Sequence, residues 1–187
     1  DAQARYLVEQ VRRLQREGYK ADEIAVLYRA HYHAMELQLH LLRENMPFVI
    51  TSGVRFFEQA HVKDVCALLR LLQNPRDLLS FGRLLELLPG VGPRTVQKLW
   101  DKLGQSFRPQ DETQRKQVGD WLPPSARPGW AAIAGVYARG SEGAGLPPAD
   151  LILEFGEAFY RLHLERTFEN YETRLEDLQE MARFTAR

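Results

Sequence analysis

A short segment between two apolar stretches has the residue types of an anion-binding turn. Residues 87–96 read Leu-Leu-Pro-Gly-Val-Gly-Pro-Arg-Thr-Val. Gly90 and Gly92 can adopt positive φ without a Cβ clash, and Pro93 suits the first position of a helix, where its missing N–H costs nothing. We therefore expect a helix, a tight turn and a second helix, with the backbone amides of the turn facing outward. Such a concavity binds anions.

The side chains around this turn favour a phosphate as the anion. Arg94 falls in the first helical turn, where a cation opposes the helix dipole by about 0.3–1 kcal/mol unless an anion lies nearby. Thr95 could bind the same anion, and the apolar Val91 would point inward. Lys98 and Lys102 continue the basic face over the next two turns. The alternative is an ordinary turn with solvated basic residues, because Gly-x-Gly alone is a short pattern.

Arg55, Phe56, Phe57 and Lys63 form a second candidate site for nucleic acid. An aromatic ring beside a cation can stack on a base while the charge holds the adjacent phosphate. The alternative is that both rings pack in the interior. For Phe57 we favour packing, whereas for Arg55 and Lys63 both interpretations stay open.

The remaining ionisable residues predict no catalytic or metal site. His31 and His33 have no cysteine or carboxylate cluster nearby, so they are a poor zinc set. We assign no role to His61. We interpret Glu176 and Asp177 as carboxylates on a solvent-exposed helix surface. Arg174 is interpreted as part of a solvent-exposed face that carries both basic and acidic side chains.

Composition limits the partners and the compartment. The chain has 187 residues, with 25 basic and 25 acidic side chains, so any contact with nucleic acid must come from a local patch. Its length fits one domain or slightly more. The single cysteine, Cys66, excludes an intrachain disulfide and indicates a reducing compartment. We find no membrane-spanning run and no signal-like start, and the first and last residues suggest an excised piece.

Periodicity predicts a mainly α fold with a small βαβ unit at the start. Apolar runs at 24–29 and 47–50 are typical of strands, and the helix predicted at 33–44 between them makes the strands parallel neighbours. Two strands make no stable parallel sheet, so the missing strands are expected outside this chain. The other predicted helices cover 2–17, 60–73, 77–88, 94–103, 111–121, 128–139, 148–163 and 171–186.

Residues 24–98 also carry an ordered series of short motifs. They are Ile24-Ala25-Val26-Leu27-Tyr28-Arg29, Glu36, Met46-Pro47-Phe48, Ser52-Gly53-Val54-Arg55-Phe56-Phe57-Glu58, Val62-Lys63-Asp64, Leu68 to Leu72, Asn74-Pro75, Asp77, Phe81 and the Gly-Val-Gly turn. The series resembles superfamily 1A helicases of the UvrD/Rep/PcrA type. Residues 173–178 are similar to the helix that closes subdomain 2B in that family, whereas over 104–170 only the helical character agrees.

The resemblance implies that residues 1–59 begin the RecA-like subdomain 2A and that 60–187 form subdomain 2B, with a helix-hairpin-helix motif at about 78–103. It implies an ATP-dependent DNA helicase moving 3′ to 5′, in which 2B grips the duplex backbone near the single-strand junction without sequence preference and regulates unwinding. Arg29 would face the nucleotide cleft. For the full-length protein it implies ATP and Mg²⁺, subdomains 1A, 1B and 2A and protein regulators as partners, DNA repair, and a bacterial cytoplasmic, nucleoid-associated location.

Two departures and one absence limit these expectations. The family usually has Gly-Gly where this chain has Ser52-Gly53, and a glutamate where His61 stands, which puts the ion pair of that carboxylate in doubt. The sequence contains no Gly-x-x-x-x-Gly-Lys loop to hold the phosphates of ATP. This polypeptide alone is therefore expected to have no ATPase activity.

Two other kinds of protein remain open from the sequence. One is a helix-hairpin-helix DNA-binding module of another repair protein, which the strand-like runs and the Arg-Phe-Phe-Glu segment argue against. The other is a protein-interaction or autoinhibitory domain, with which the neutral net charge is compatible.

Overall fold

The computed structural model describes residues 2–29, 31–50, 56–141 and 145–186, without the side chains of 31–33. The chain divides into two compact units, Asp1–Gln59 (unit 1) and Ala60–Arg187 (unit 2). The helices are α1 (Ala2–Arg16), α2 (His31–Arg43), α3 (Ala60–Gln73), α4 (Leu78–Glu86), α5 (Pro93–Lys102), α6 (Glu112–Trp121), α7 (Arg127–Arg139), α8 (Pro148–Phe155), α9 (Arg161–Thr167) and α10 (Tyr171–Thr185). Short 3₁₀ turns cover Ala21–Glu23 and Phe56–Glu58, and a π-helical turn, Gly156–Tyr160, joins α8 to α9.

Unit 1 is built around the contact between α1 and α2. Ala4 and Val8 on α1 pack with Leu37 on α2. Two side chains from the segments flanking α2, Val26 and Met46, pack partly buried against this cluster. The small core therefore contacts one face of each flanking segment and leaves the other face uncovered by these helices.

The predicted parallel strands of unit 1 do not form. Residues 24–28 and 46–50 have no strand in the described part of the chain, although exposure alternates along both segments. The alternation leaves Leu27 94% exposed and Val49 82% exposed. The expectation of a βαβ pair is wrong for these segments, because a strand needs a neighbouring strand to pair with, and the described residues place helices on one face of each segment and no strand beside it.

Unit 2 begins its helices at defined caps. The Asp77 carboxylate at the start of α4 accepts from the Ser80 amide over 3.0 Å and from the Ser80 hydroxyl over 2.7 Å. Asp111 at the start of α6 accepts from the amides of Thr113 and Gln114. These short polar side chains satisfy amides that the first helical turn leaves without a partner.

An aromatic cluster fills the interior of unit 2. Phe107 lies at its centre, with ring centroids 5.3 Å from Phe81, 5.8 Å from Trp130 and 6.3 Å from Tyr137. The Tyr137 hydroxyl donates to the Leu68 carbonyl over 3.0 Å, and complete burial raises the pKa of that phenol well above its ordinary value. The cluster thus joins α3, α4 and α7 through the loop that carries Phe107.

The first and last helices of unit 2, α3 and α10, meet across polar side chains. His61 is fully buried, and its ring contacts Asp177 and Arg174. The interpretation of Asp177 and Arg174 as a solvated face is wrong. Asp177 lies on the same helical stripe as the buried Leu178 and Met181, so that α10 turns the carboxylate inward.

Candidate nucleic-acid interface

The segment between α4 and α5 is a tight hairpin held by close helix packing. The Leu88 amide donates to the Leu85 carbonyl, and the Val91 amide donates to the Leu88 carbonyl over 3.2 Å. A Cβ at Gly82 would lie 3.3 Å from the Cγ1 atom of Val96, so the two helices approach closely at that point. The buried Val91 side chain anchors the hairpin tip, and because the Val91 amide is occupied by the Leu88 carbonyl, Val91 offers an anion neither its side chain nor its amide.

The two glycines of the hairpin have different conformations. Gly90 has φ of +75°, the left-handed region that favours glycine. Gly92 has φ of −128° and ψ of 180°, an extended conformation that any residue adopts. Positive φ was possible at both glycines, but only Gly90 adopts it. Gly92 instead precedes α5 as its cap residue, and its carbonyl accepts from the amides of Thr95 and Val96.

The hairpin presents backbone amides without partners. Among the described residues, the amides of Gly90, Gly92 and Arg94 have no hydrogen-bond acceptor. Gly90 is exposed and Gly92 is half-buried. The amide of Thr95 is occupied by the Gly92 carbonyl, so that Thr95 could offer a ligand only its half-buried side chain. Three amide donors at the start of a helix suit an anionic ligand.

Two exposed cations lie beside these amides on α5. Arg94 is in its first turn, which contains no acidic residue, and Lys98 is one turn further on. Neither forms a salt bridge within the described part of the chain. The sequence predicts that the basic face of α5 continues to Lys102. In the structure the Lys102 ammonium instead lies 4.8 Å from the centroid of the Trp121 ring, in a cation–π contact. The free basic face is therefore formed by Arg94 and Lys98.

The hairpin is supported from the turn before α7, which sequence reasoning missed. The Ser125 hydroxyl donates to the Pro89 carbonyl over 3.2 Å. A Cβ at Gly129 would lie 2.7 Å from the Cδ2 atom of Leu88, so α7 lies directly against the hairpin. No sequence signal reveals these contacts, because Ser125 and Pro89 are 36 residues apart.

The second candidate site is described only in part. Arg55 lies outside the described residues. Phe56 is fully buried, with its ring in edge contact with Phe57 at a centroid distance of 5.1 Å. This contact favours packing over base stacking for both rings. Lys63 is exposed on α3 in unit 2.

Arg29 lies in unit 1 at the end of the extended segment that precedes α2. It is exposed and helps to line a groove of about 370 Å³ together with Tyr28 and Glu36. The floor of this groove is apolar and comes from the α1–α2 core, including Ala4 and Leu37. The groove offers the Arg29 guanidinium, the Tyr28 ring and the Glu36 carboxylate on an apolar base.

The described residues contain neither a metal-binding cluster nor a membrane-spanning helix. No group of three or more His, Cys, Asp or Glu side chains lies close enough together there to hold a metal ion. No helix in the described ranges is both long enough and apolar enough to cross a membrane.

Comparison with known proteins identifies relatives for part of the chain. The family model of the UvrD-like helicase C-terminal domain matches residues 1–113. An ATP-dependent DNA helicase PcrA of Staphylococcus epidermidis is 31% identical over 98 residues, which are 52% of this chain and 13% of that protein. An ATP-dependent DNA helicase PcrA of Staphylococcus aureus strain Mu50 is 30% identical with the same coverage. This chain belongs to the UvrD-like helicase C-terminal domain family, as a fragment of a UvrD/PcrA-type superfamily 1 helicase.

Proposed function

We propose that this chain is part of an ATP-dependent 3′ to 5′ DNA helicase and that unit 2 is its 2B subdomain, which grips duplex DNA by the backbone. The observation that carries the proposal is the hairpin. The partnerless amides of Gly90, Gly92 and Arg94 adjoin two exposed cations in a helical turn without an acid. Both kinds of donor suit a DNA phosphate.

The proposed contact reads no bases. Amides and cations at the hairpin bind phosphate oxygens, which are the same for every base pair, and such contacts carry no sequence information. A helicase must move along any sequence, so a backbone grip matches the task. Because the net charge of the chain is zero, binding depends on this local patch and is weak and strongly salt-dependent.

Unit 1 is proposed to be a piece of the RecA-like 2A subdomain. Its outward-facing Leu27 and Val49 are side chains that further strands and helices of the parent protein would cover. ATP and Mg²⁺ are proposed as cofactors of the parent, with Arg29 facing the nucleotide from the groove in unit 1. The sequence has no Gly-x-x-x-x-Gly-Lys loop to hold the phosphates of ATP, so ATP hydrolysis is proposed for the parent protein and not for this chain alone.

The test is duplex DNA binding by the 187-residue chain, measured by fluorescence anisotropy over a salt series. We expect the double variant Arg94→Ala/Lys98→Ala to lose roughly tenfold or more in affinity, with a log–log salt slope smaller by about two. The control, Arg5→Ala/Arg166→Ala, removes two other exposed arginines, one on α1 and one on α9. Equal affinity of the hairpin variant and the control would exclude the hairpin as the DNA contact.

A protein-binding role for the same hairpin is the second candidate, favoured by the neutral net charge. In that case the hairpin contacts a regulator or the motor subdomains and inhibits the helicase. The Arg94→Ala/Lys98→Ala variant would then bind DNA as well as the unsubstituted chain and lose a protein contact instead. The family match over residues 1–113 supports the helicase proposal over a module from an unrelated repair protein.

A further inference from the structure

The buried contact between α3 and α10 contains a histidine between two opposite charges. The Arg174 guanidinium donates from Nη1 to Nδ1 of His61 over 2.9 Å. On the other side of the ring, Nε2 lies 2.9 Å from Oδ2 of Asp177. His61 is 0% and Asp177 2% exposed, so that both groups are removed from water. Helix α10 supplies both charges, and α3 supplies the ring that joins them.

The chemistry of the guanidinium assigns the protons on His61. A guanidinium can only donate hydrogen bonds, so Nδ1 of His61 must be the unprotonated, accepting nitrogen. The ring proton then lies on Nε2, which donates to the Asp177 carboxylate. The ring is therefore neutral, with the Nε2–H tautomer fixed by its two partners.

Further contacts hold Arg174 beside His61, and Asp177 depends on His61 for its hydrogen bond. Arg174 also donates from Nε to the Asn170 side chain over 3.2 Å, and its guanidinium carbon lies 3.8 Å from the centroid of the Phe168 ring. Oδ1 of Asp177 has no partner among the described residues. The His61 N–H is thus the one hydrogen bond that the structure gives this buried carboxylate, which makes it expensive to remove.

A second buried carboxylate on α3 has its own partners. Asp64 accepts from Nε of Arg83 on α4 over 2.6 Å and from the hydroxyl of Tyr160 in the π-helical turn. Burial first, and then the charge of Asp64, raise the pKa of Tyr160 above its ordinary range, so that this phenol stays protonated as a donor. Each of these two buried carboxylates therefore has a guanidinium near it: Arg83 contacts Asp64 directly, and Arg174 lies across the His61 ring from Asp177.

We propose that Arg174, His61 and Asp177 form a clasp that fastens the last helix of unit 2 to its first helix. In this chain the negative charge is on α10, at Asp177, and the neutral ring of His61 joins it to Arg174. The clasp keeps the two end helices of unit 2 together.

The first test is the tautomer of His61 in the unsubstituted chain. In a sample with ¹⁵N-labelled histidine, we expect the Nε2 signal in the protonated range and the Nδ1 signal in the unprotonated range at neutral pH. A Nδ1–H tautomer or a doubly protonated ring would overturn the assignment, because neither leaves an acceptor for Arg174.

The second test places a negative charge on α3 next to Asp177. His61→Glu sets two carboxylates side by side in a buried site, and we expect amide protection in α3 and α10 to fall by roughly tenfold or more. Adding Asp177→Asn supplies an amide donor and removes one charge, and we expect protection within about threefold of the unsubstituted chain. Hydrogen exchange followed by mass spectrometry measures both.

The controls separate the clasp from a general loss of stability. Gln73→Glu adds the same charge at the exposed end of α3 and is expected to change protection little. Asp177→Asn alone keeps an oxygen for the His61 N–H and is expected to lose less protection than His61→Glu. If the double variant is no better protected than His61→Glu, the clasp is not what joins these helices.

Discussion

At the scale of single residues, the hairpin depends on Gly90 more than on Gly92. An alanine at Gly90 would have to hold φ of +75°, which costs roughly 1–2 kcal/mol, and its Cβ would lie 3.4 Å from the Ser125 hydroxyl. A Cβ at Gly92 would meet no atom within 4 Å. We expect Gly90→Ala to lower the free energy of unfolding by about 1–2 kcal/mol and Gly92→Ala by less than about 0.5 kcal/mol.

Urea denaturation of both glycine variants measures this difference. Each variant carries the same added methyl group, so Gly92→Ala is the control for Gly90→Ala. Equal losses at the two positions would mean that the hairpin relaxes around Gly90 and that its left-handed backbone is not required.

Single residues also mark the limit of what sequence can predict. Arg94 and Lys98 were expected on one face of a helix from their spacing alone, and both are exposed on α5. Asp177 was misjudged, although its spacing from Leu178 and Met181 places it on the buried stripe, because an acidic side chain suggests solvent. The sequence does not pair it with His61, since the two are 116 residues apart.

At the scale of elements, the start of α4 is a capped helix that responds to pH. Burial by itself raises the pKa of Asp77, but the hydrogen bonds from the Ser80 hydroxyl and amide, with the charge of Arg70, outweigh it and lower the pKa below its ordinary value of 3.8. A carboxyl with a lowered pKa in the folded chain stabilises it above the unfolded pKa. That contribution is lost as the pH falls through the folded pKa.

We therefore expect Asp77→Ala to lower the free energy of unfolding by about 0.5–2 kcal/mol at about pH 6 and by less at about pH 3. Asp77→Asn keeps a capping oxygen without a titrating group, so its difference from Asp77→Ala should not change with pH. Urea denaturation of the three chains at both pH values provides the comparison. A loss on Asp77→Ala that is the same at both pH values would contradict the charged cap.

Helices were predicted far better than strands because helical hydrogen bonds are local. The expectation of a helix at 94–103 agrees with α5 (Pro93–Lys102), and that at 171–186 agrees with α10 (Tyr171–Thr185). The helix expected at 148–163 is interrupted by the π-helical turn at Gly156–Tyr160, which apolar spacing does not reveal. A strand depends on a neighbour elsewhere in the chain, so the apolar run at 24–29 did not suffice to predict a strand, and its predicted pairing with 47–50 is wrong.

At the scale of the whole molecule, the two units differ in how completely they bury their apolar residues. Unit 2 encloses a fully buried aromatic and aliphatic interior, including Phe107 and Ile133. Unit 1 has a small cluster around Val8 and leaves Leu27 and Val49 almost fully exposed on extended segments. The matched segment is 13% of the length of the PcrA relative.

The isolated chain is therefore expected to associate with itself through unit 1. Extended segments with exposed apolar side chains and no neighbouring strand are templates for pairing between molecules. We expect Leu27→Lys/Val49→Lys to reduce self-association, because lysine on such a segment opposes pairing at little cost to the fold. Sedimentation velocity over a concentration series measures the change. Leu79→Lys is the control, since Leu79 is 85% exposed but lies on α4. An equal effect of the control would mean that the extended segments have no special part in association.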